Sequence, residues 1–156
     1  MGLTARDVMD DCFQTLRPDM SIAEAVRIFE RAGRVSGQKV FGIMVTDASR
    51  SLVGMLSIYD IFLLLRPKHI HIWGEMEDLE ISDLLDTACH RARAVRVGDI
   101  MTTELITITP ETNLLLIIDI MIKKHVRRLP VLEGGKIVGI VYISRVFEYL
   151  LGKLAG

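Results

Sequence analysis

The sequence has few cysteines and no long apolar run, and each shortage excludes a class of protein. Its two cysteines, Cys12 and Cys89, have neither CxxC nor metal-type spacing, which excludes a disulfide framework and a zinc site of cysteines. The longest apolar runs without glycine, 61–65 and 114–118, are far shorter than the roughly 18 residues that a membrane span needs. We therefore expect a globular protein with reduced thiols.

Charge of one sign and a targeting segment are also missing. The formal net charge is −1, which predicts no broad attraction to nucleic acid or to anionic lipid. The first residues lack the apolar core of a signal peptide and instead carry charged side chains, namely Arg6, Asp7, Asp10 and Asp11. These features favour a cytoplasmic location.

Apolar residues, by contrast, make up 50% of the chain, at the upper edge of the range for globular proteins. Two small repeats have difficulty in covering that much apolar surface, so we expect part of it to be buried against a partner.

The most informative feature is a pattern that occurs twice. Asp7-Val8-Met9 opens one half and Asp99-Ile100-Met101 opens the other, while LVGMLSIYDIF (52–62) and IVGIVYISRVF (137–147) close them. A tandem repeat indicates two copies of one supersecondary unit packed together, and we expect any ligand site to lie at the interface between them.

Hydrophobic periodicity predicts the order β-α-β-β-α in each repeat, and therefore an α/β fold. In the first repeat the predicted elements are a strand at 13–16, a helix capped by Ser21 whose end is marked by Gly33 and Gly37, a hairpin of 41–45 with 51–56, and a helix at 58–65. In the second they are a strand at 105–109, a helix at 113–124, a hairpin of 128–132 with 136–142, and a helix at 143–151 stopped by Gly152. The predicted boundaries are 3–65 for the first repeat, 66–95 for an insert with a short strand at 69–73 and a helix at 81–94, and 96–152 for the second repeat.

Arg127-Arg128-Leu129-Pro130-Val131, a glycine-containing turn and IVGIV (137–141) together resemble the core of a CBS domain, the repeat named after cystathionine β-synthase. The Asp-Val/Ile-Met leads are similar to those of that family, and Gly54–Asp60 is similar to its nucleotide-binding ending. The resemblance implies a stand-alone tandem CBS (Bateman) module whose repeats pack with pseudo-two-fold symmetry. It also implies two clefts for adenosine ligands, assembly into a homodimer, and a regulatory function without catalysis.

Ser57 and Asp60 have two interpretations. Locally they form a helix N-cap with an acidic third position, which stabilises a helix by about 1 kcal/mol without any ligand. In the CBS register, the helix N-terminus suits a phosphate and the carboxylate can accept hydrogen bonds from both hydroxyls of a ribose. The two roles are compatible.

The resemblance further implies one composite cleft that draws on both repeats. Arg127 and Arg128 stand where the family often has a His-Arg pair against phosphate, and guanidinium groups favour a phosphorylated ligand. A solvated basic turn is the alternative interpretation of these arginines. The residues implied at the cleft are Met55, Ser57 and Asp60 from the first repeat, with Leu105, Thr107, Thr109, Val126, Arg127 and Arg128 from the second.

The mirror cleft departs from the family pattern. It would draw on Tyr142 and Arg145, with Leu16 and Val40 from the first repeat, and Arg145 cannot accept a hydrogen bond from a ribose. Arg145 could instead reach a phosphate that lies near the symmetry axis, but we expect this cleft to be structural only.

The sequence gives only weak signals for a metal site or for catalysis. His69 and His71 could face one side of a strand, but they lack a third ligand for a metal. Cys89 and His90 are adjacent on a predicted helix, so their side chains point apart and do not form a catalytic pair. No motif for nucleotide hydrolysis or nucleophilic catalysis is present.

The sequence therefore predicts a regulatory sensor of AMP, ADP or ATP that acts through a ligand-dependent conformational shift and requires no cofactor. Three alternatives stay open. They are an interaction module with empty clefts, an S-adenosylmethionine sensor, and an enzyme that uses His90 or Asp60. The regulated protein is not predicted.

Overall fold

The computed structural model of the chain describes residues 3–37, 40–66 and 78–156, with α4 side chains from Ile81 onward. It has the predicted mixed α/β fold with two tandem repeats. The helices are α1 Ala5–Val8, α2 Ile22–Ser36, α3 Ile58–Leu65, α4 Asp78–Ala92, α5 Val97–Ile100, α6 Leu114–Lys124 and α7 Ile143–Leu154. The strands are β1 Thr15–Leu16, β2 Gly42–Thr46, β3 Leu52–Ser57, β4 Arg128–Glu133 and β5 Lys136–Tyr142. None of the helices in these ranges is both long enough and apolar enough to cross a membrane.

The chain forms two compact units that differ from the sequence halves. The first-repeat unit contains the described parts of 14–48 and 53–104, and the second-repeat unit contains 3–13, 49–52 and 105–156. The Asp-Val/Ile-Met tripeptide and the residue that follows it, 7–10 in one repeat and 99–102 in the other, are called the lead of that repeat. Each unit thus includes the lead of the other repeat. The boundaries at 3–65 and 96–152 stay a prediction about the sequence repeat.

The first-repeat unit is a three-stranded sheet with α2 packed on it. Strand β1 runs parallel to β2, with Leu16 opposite Val45, and the strand order is β1-β2-β3. Helix α2 begins at Ser21, whose Oγ accepts the Glu24 N–H at 3.2 Å, and it ends at Gly37, where φ is 71°. The core consists of Leu16, Ile22, Ala25, Ile43, Val45, Leu56 and Val97.

The second-repeat unit contains the antiparallel pair β4–β5. Arg128 lies opposite Tyr142 at one end of the pair, and Gly134 and Gly135 make the turn at the other with φ of 60° and 79°. Helix α6 is capped by Asn113, whose Oδ1 accepts the Leu116 N–H at 2.8 Å. The core consists of Ala5, Val8, Ile108, Leu114, Ile117, Met121, Leu129, Val131, Val141 and Val146.

Several predicted elements differ from the structure, and the predicted strand at 13–16 is shortened to β1 Thr15–Leu16. The strand at 105–109 is reduced to one parallel bridge between Ile108 and Val131, in which the Ile108 N–H donates to the Pro130 carbonyl at 3.1 Å and the Ile108 carbonyl accepts the Leu132 N–H at 2.8 Å. The next residue of the ladder would be Pro110, which has no N–H to donate. Helix α7 passes through Gly152 and ends at Leu154, since the Ala155 N–H still reaches the Leu151 carbonyl at 2.9 Å. The predicted helix at 81–94 is α4, and the predicted strand at 69–73 lies outside the described residues.

Each lead is bound to a strand edge at a glycine. In the first-repeat unit, Met55 and Thr102 exchange two backbone hydrogen bonds of 2.9 Å, and a Cβ at Gly54 would lie 2.7 Å from Met101 Sδ. In the second-repeat unit, Asp10 and Ile140 exchange bonds of 2.8 and 2.9 Å. A Cβ at Gly139 would there lie 2.6 Å from Met9 Sδ. Glycine therefore allows the close approach of lead and strand in both units.

Candidate functional site

Ser57 and Asp60 form a complete capping box at the start of α3. The Asp60 N–H donates to Ser57 Oγ at 3.2 Å, while the Ser57 N–H and hydroxyl donate to Asp60 Oδ2 at 2.8 and 3.0 Å. The predicted helix cap is thus confirmed. The box also fixes the carboxylate beside the N-terminus of α3, where backbone amides and the helix dipole favour negative charge.

The lead of the second repeat supplies one more contact to this carboxylate. The Thr102 hydroxyl donates to Asp60 Oδ1 at 3.1 Å across 42 residues of sequence, and the bond is partly buried. Sequence reasoning missed Thr102, because its position directly after Asp99-Ile100-Met101 does not indicate which side chain it contacts.

These contacts limit what Asp60 can still bind. A carboxylate offers about four acceptor positions. Ser57 uses two of them on Oδ2 and Thr102 uses one on Oδ1. With all these bonds kept, Asp60 can accept one further hydroxyl on Oδ1, whereas the sequence analysis expected it to accept both hydroxyls of a ribose.

The two arginines lie in the second-repeat unit, where β4 begins. The side chain of Arg127 is exposed, and its carbonyl accepts the N–H of Ile143, the first residue of α7, at 2.8 Å. Arg128 is half-buried opposite Tyr142. Burial lowers the pKa of Arg128 and the adjacent Arg127 charge lowers it further, while Tyr142 raises it. Two permanently cationic groups at this position are suited to an anionic ligand.

The remaining predicted residues are distributed over both units. Met55 is half-buried on β3 in the first-repeat unit, where it pairs with Thr102. In the second-repeat unit, Leu105 and Val126 are half-buried, and Thr107 and Thr109 are exposed. Val126 packs against the core of that unit. The structure brings together Ser57 and Asp60 within one unit, and Arg127 and Arg128 within the other.

In the second-repeat unit, the helix that corresponds to α3 is α7, and it begins without a capping box. Tyr142 stands at the N-cap of α7 without a side-chain cap bond, and Arg145 is exposed at the position that corresponds to Asp60. Burial raises the pKa of Tyr142, the Asp10 carboxylate raises it further, and Arg128 lowers it. In this unit the lead therefore carries a carboxylate, Asp10, where the other unit has the hydroxyl of Thr102, and a cation, Arg145, stands where the other unit has the carboxylate of Asp60.

The alternative chemical sites gain no support from the described ranges. Within 3–37, 40–66 and 78–156, no three His, Cys, Asp or Glu side chains are grouped so that they could hold a metal ion. His69 and His71 lie outside those ranges. Cys12 and Cys89 are free and exposed.

Comparison with known families identifies the class of protein. The family model described as "CBS domain" matches residues 5–66 and 97–152. The two matches include most of the chain, which therefore belongs to the CBS domain family as a tandem pair, as the sequence motifs predicted.

Solved structures of CBS-pair proteins are similar over the whole chain. The CBS-pair protein CBSX2 from Arabidopsis thaliana is 25% identical, with a TM-score of 0.75 over 100% of this chain and 99% of that one. A crystal structure of CBSX2 in complex with AMP has 26% identity and a TM-score of 0.72 over 97% of this chain and 98% of that one.

A curated relative matches only a part of the chain. It is the mitochondrial CBS domain-containing protein CBSX3 of Arabidopsis thaliana, which is 40% identical over 57 residues. The match covers 35% of this chain and 28% of that protein, so it spans well under half of either.

Proposed function

We propose that this chain is a regulatory module that binds an adenine nucleotide, AMP, ADP or ATP. The observation that carries the proposal is the Asp60 carboxylate, fixed by Ser57 and Thr102 at the start of α3 with one acceptor position left. The similarity to CBSX2, which has been crystallised with AMP, supports the choice of ligand.

The proposed roles follow the chemistry of each group. Asp60 accepts a hydrogen bond from the ribose, with Ser57 holding the carboxylate, and Arg127 and Arg128 bind the phosphate as fixed cations. The proposed contacts to the adenine are Met55, Leu105, Thr107, Thr109 and Val126.

The module acts by a conformational shift, not by chemistry on the ligand. A nucleotide shifts an equilibrium only by its difference in affinity for the two states, typically about 1–3 kcal/mol. We propose that this shift reports nucleotide occupancy to a regulated protein, that the module is not an enzyme, and that it needs no cofactor.

The proposed location of the protein is the cytoplasm. Fluorescence microscopy distinguishes this location from the mitochondrion, where the name of CBSX3 places that relative.

Calorimetric titration of the full chain with five ligands tests the function. We expect AMP, ADP or ATP to bind saturably, and adenosine to bind at least about tenfold more weakly because it leaves the arginines without an anion. We also expect weak binding of S-adenosylmethionine, since its sulfonium is repelled by the two guanidinium groups. Preference for S-adenosylmethionine would contradict the phosphate assignment, and failure of all five ligands would favour an interaction module.

The same proposal includes a homodimer, supported by an apolar stripe on α7. Its residues recur at helical spacing and remain exposed, namely Ile143 (46%), Phe147 (56%), Leu151 (46%) and Leu154 (71%). Contiguous exposed apolar surface of this kind is typical of a protein–protein contact.

Phe147→Glu is expected to dissociate the dimer, because it places a charge in the middle of this stripe. Size-exclusion chromatography with light scattering should give twice the chain mass for the wild type and the single-chain mass for the variant. Ser144→Glu adds the same charge at another exposed position of α7 and should remain dimeric. A monomeric wild type, or a dimeric Phe147→Glu protein, would contradict the proposed dimer.

A further inference from the structure

Thr102 is held rigidly beside the carboxylate that we assign to the ribose. Its backbone N–H and carbonyl each form a 2.9 Å hydrogen bond with Met55, and its side chain is half-buried. The neighbouring Met101 lies against Gly54, at a distance that a larger residue would not permit. The Thr102 hydroxyl is therefore a fixed group of the first-repeat unit.

Thr102 restrains the part of Asp60 that the helix cap leaves free. Both Ser57 donors bind Oδ2, so on their own they allow Oδ1 to swing as the carboxylate turns. The bond from Thr102 Oγ1 to Oδ1, 3.1 Å long, removes that freedom. It also occupies one of the two acceptor positions of Oδ1.

We propose that Thr102 is a positioning and specificity-determining residue of the nucleotide site, which fixes Asp60 so that Oδ1 accepts a single ribose hydroxyl. This inference rests on the proposed adenine-nucleotide function. A group that is ordered before the ligand arrives loses little conformational entropy on binding, so the fixed carboxylate binds the hydroxyl more tightly than a mobile one.

Two nucleotides that differ only in their ribose hydroxyls distinguish a positioning role of Thr102 from a purely structural one. The full chain is titrated with AMP and with 2′,3′-dideoxyadenosine 5′-monophosphate, which has no hydroxyl to offer Asp60. We expect Thr102→Val to weaken AMP binding about fivefold to tenfold and to leave the affinity for the dideoxy nucleotide within about twofold of wild type. Thr102→Ser keeps the hydroxyl and should bind AMP nearly as wild type does. Thr103→Val, at the exposed neighbouring threonine, is the matched control and should change neither affinity.

Equal weakening of both nucleotides by Thr102→Val would overturn the proposal, since a structural defect does not depend on the ribose. Unchanged AMP binding by a folded Thr102→Val protein would overturn it as well, while leaving the nucleotide function intact. Absence of binding of AMP, ADP and ATP by the wild type at millimolar ligand would instead refute the proposed function, and this inference with it.

The wild type gives a second test that needs no variant and so does not depend on how Thr102→Val folds. If Oδ1 accepts one hydroxyl, then only one of 2′-deoxyadenosine and 3′-deoxyadenosine 5′-monophosphate should bind more weakly than AMP, by about tenfold. Similar losses for both deoxy nucleotides would contradict the single-hydroxyl assignment.

Discussion

Gly54→Ala is expected to lower the free energy of unfolding by about 2 kcal/mol. The new Cβ would lie 2.7 Å from Met101 Sδ and 2.9 Å from the Thr102 carbonyl oxygen. The thioether can move, but the carbonyl cannot move freely because it accepts the Met55 N–H at 2.9 Å. Relief of the clash must therefore separate the lead from β3.

Chemical denaturation followed by circular dichroism measures this effect. Gly152→Ala is the matched control, since a Cβ there meets nothing within 4 Å in the last turn of α7. Alanine is a better helix former than glycine, so this control should raise the free energy of unfolding by about 0.5–1 kcal/mol. If both substitutions had the same effect, the close approach of lead and strand at Gly54 would be wrong.

The double substitution Arg127→Gln with Arg128→Gln should weaken AMP binding about a hundredfold. Each charge-assisted hydrogen bond contributes about 1.5–3 kcal/mol, and two of them would be lost at the phosphate. Adenosine, which has no phosphate, should bind the variant and the wild type with similar affinity. Calorimetric titration with both ligands measures the difference.

Lys123→Gln with Lys124→Gln is the control for charge alone. These lysines end α6 and are exposed, and Lys123 pairs with Asp119 at 3.1 Å. Their replacement also removes two positive charges, at a neighbouring position in the sequence. We expect the affinity for AMP to fall by less than about threefold, since exposed charges are screened. If both double variants lost affinity equally, the arginines would act only through the general field of the protein.

The sequence predicted the structure correctly where a feature depends on residues that are close to one another in the chain. The capping serines Ser21 and Ser57 act on the residue three positions later, so the spacing alone predicted both helix starts. The turn at Gly134-Gly135 was predictable for the same reason, because positive φ favours glycine.

Contacts between distant segments were not predictable in this way. Thr102 binds Asp60 across 42 residues, and its identity as a threonine at the end of a repeated lead says nothing about its partner. The binding of each lead to the strand edge of the other repeat depends in the same way on tertiary contacts. The end of α7 was misplaced because glycine weakens a helix by only about 1 kcal/mol and does not end it where the following residues continue the hydrogen bonds.

The central claim is that an adenine nucleotide binds this chain through Asp60. Calorimetric titration of AMP, ADP and ATP into the wild type and into Asp60→Ala, with the fold of each checked by circular dichroism, tests it most directly. We predict saturable binding by the wild type and an affinity at least about tenfold lower in the variant. Loss of the helix cap should separately lower the free energy of unfolding of the variant by about 1 kcal/mol. Absence of binding of all three nucleotides by the folded wild type at millimolar ligand, or equal affinity in the two proteins, would contradict the account.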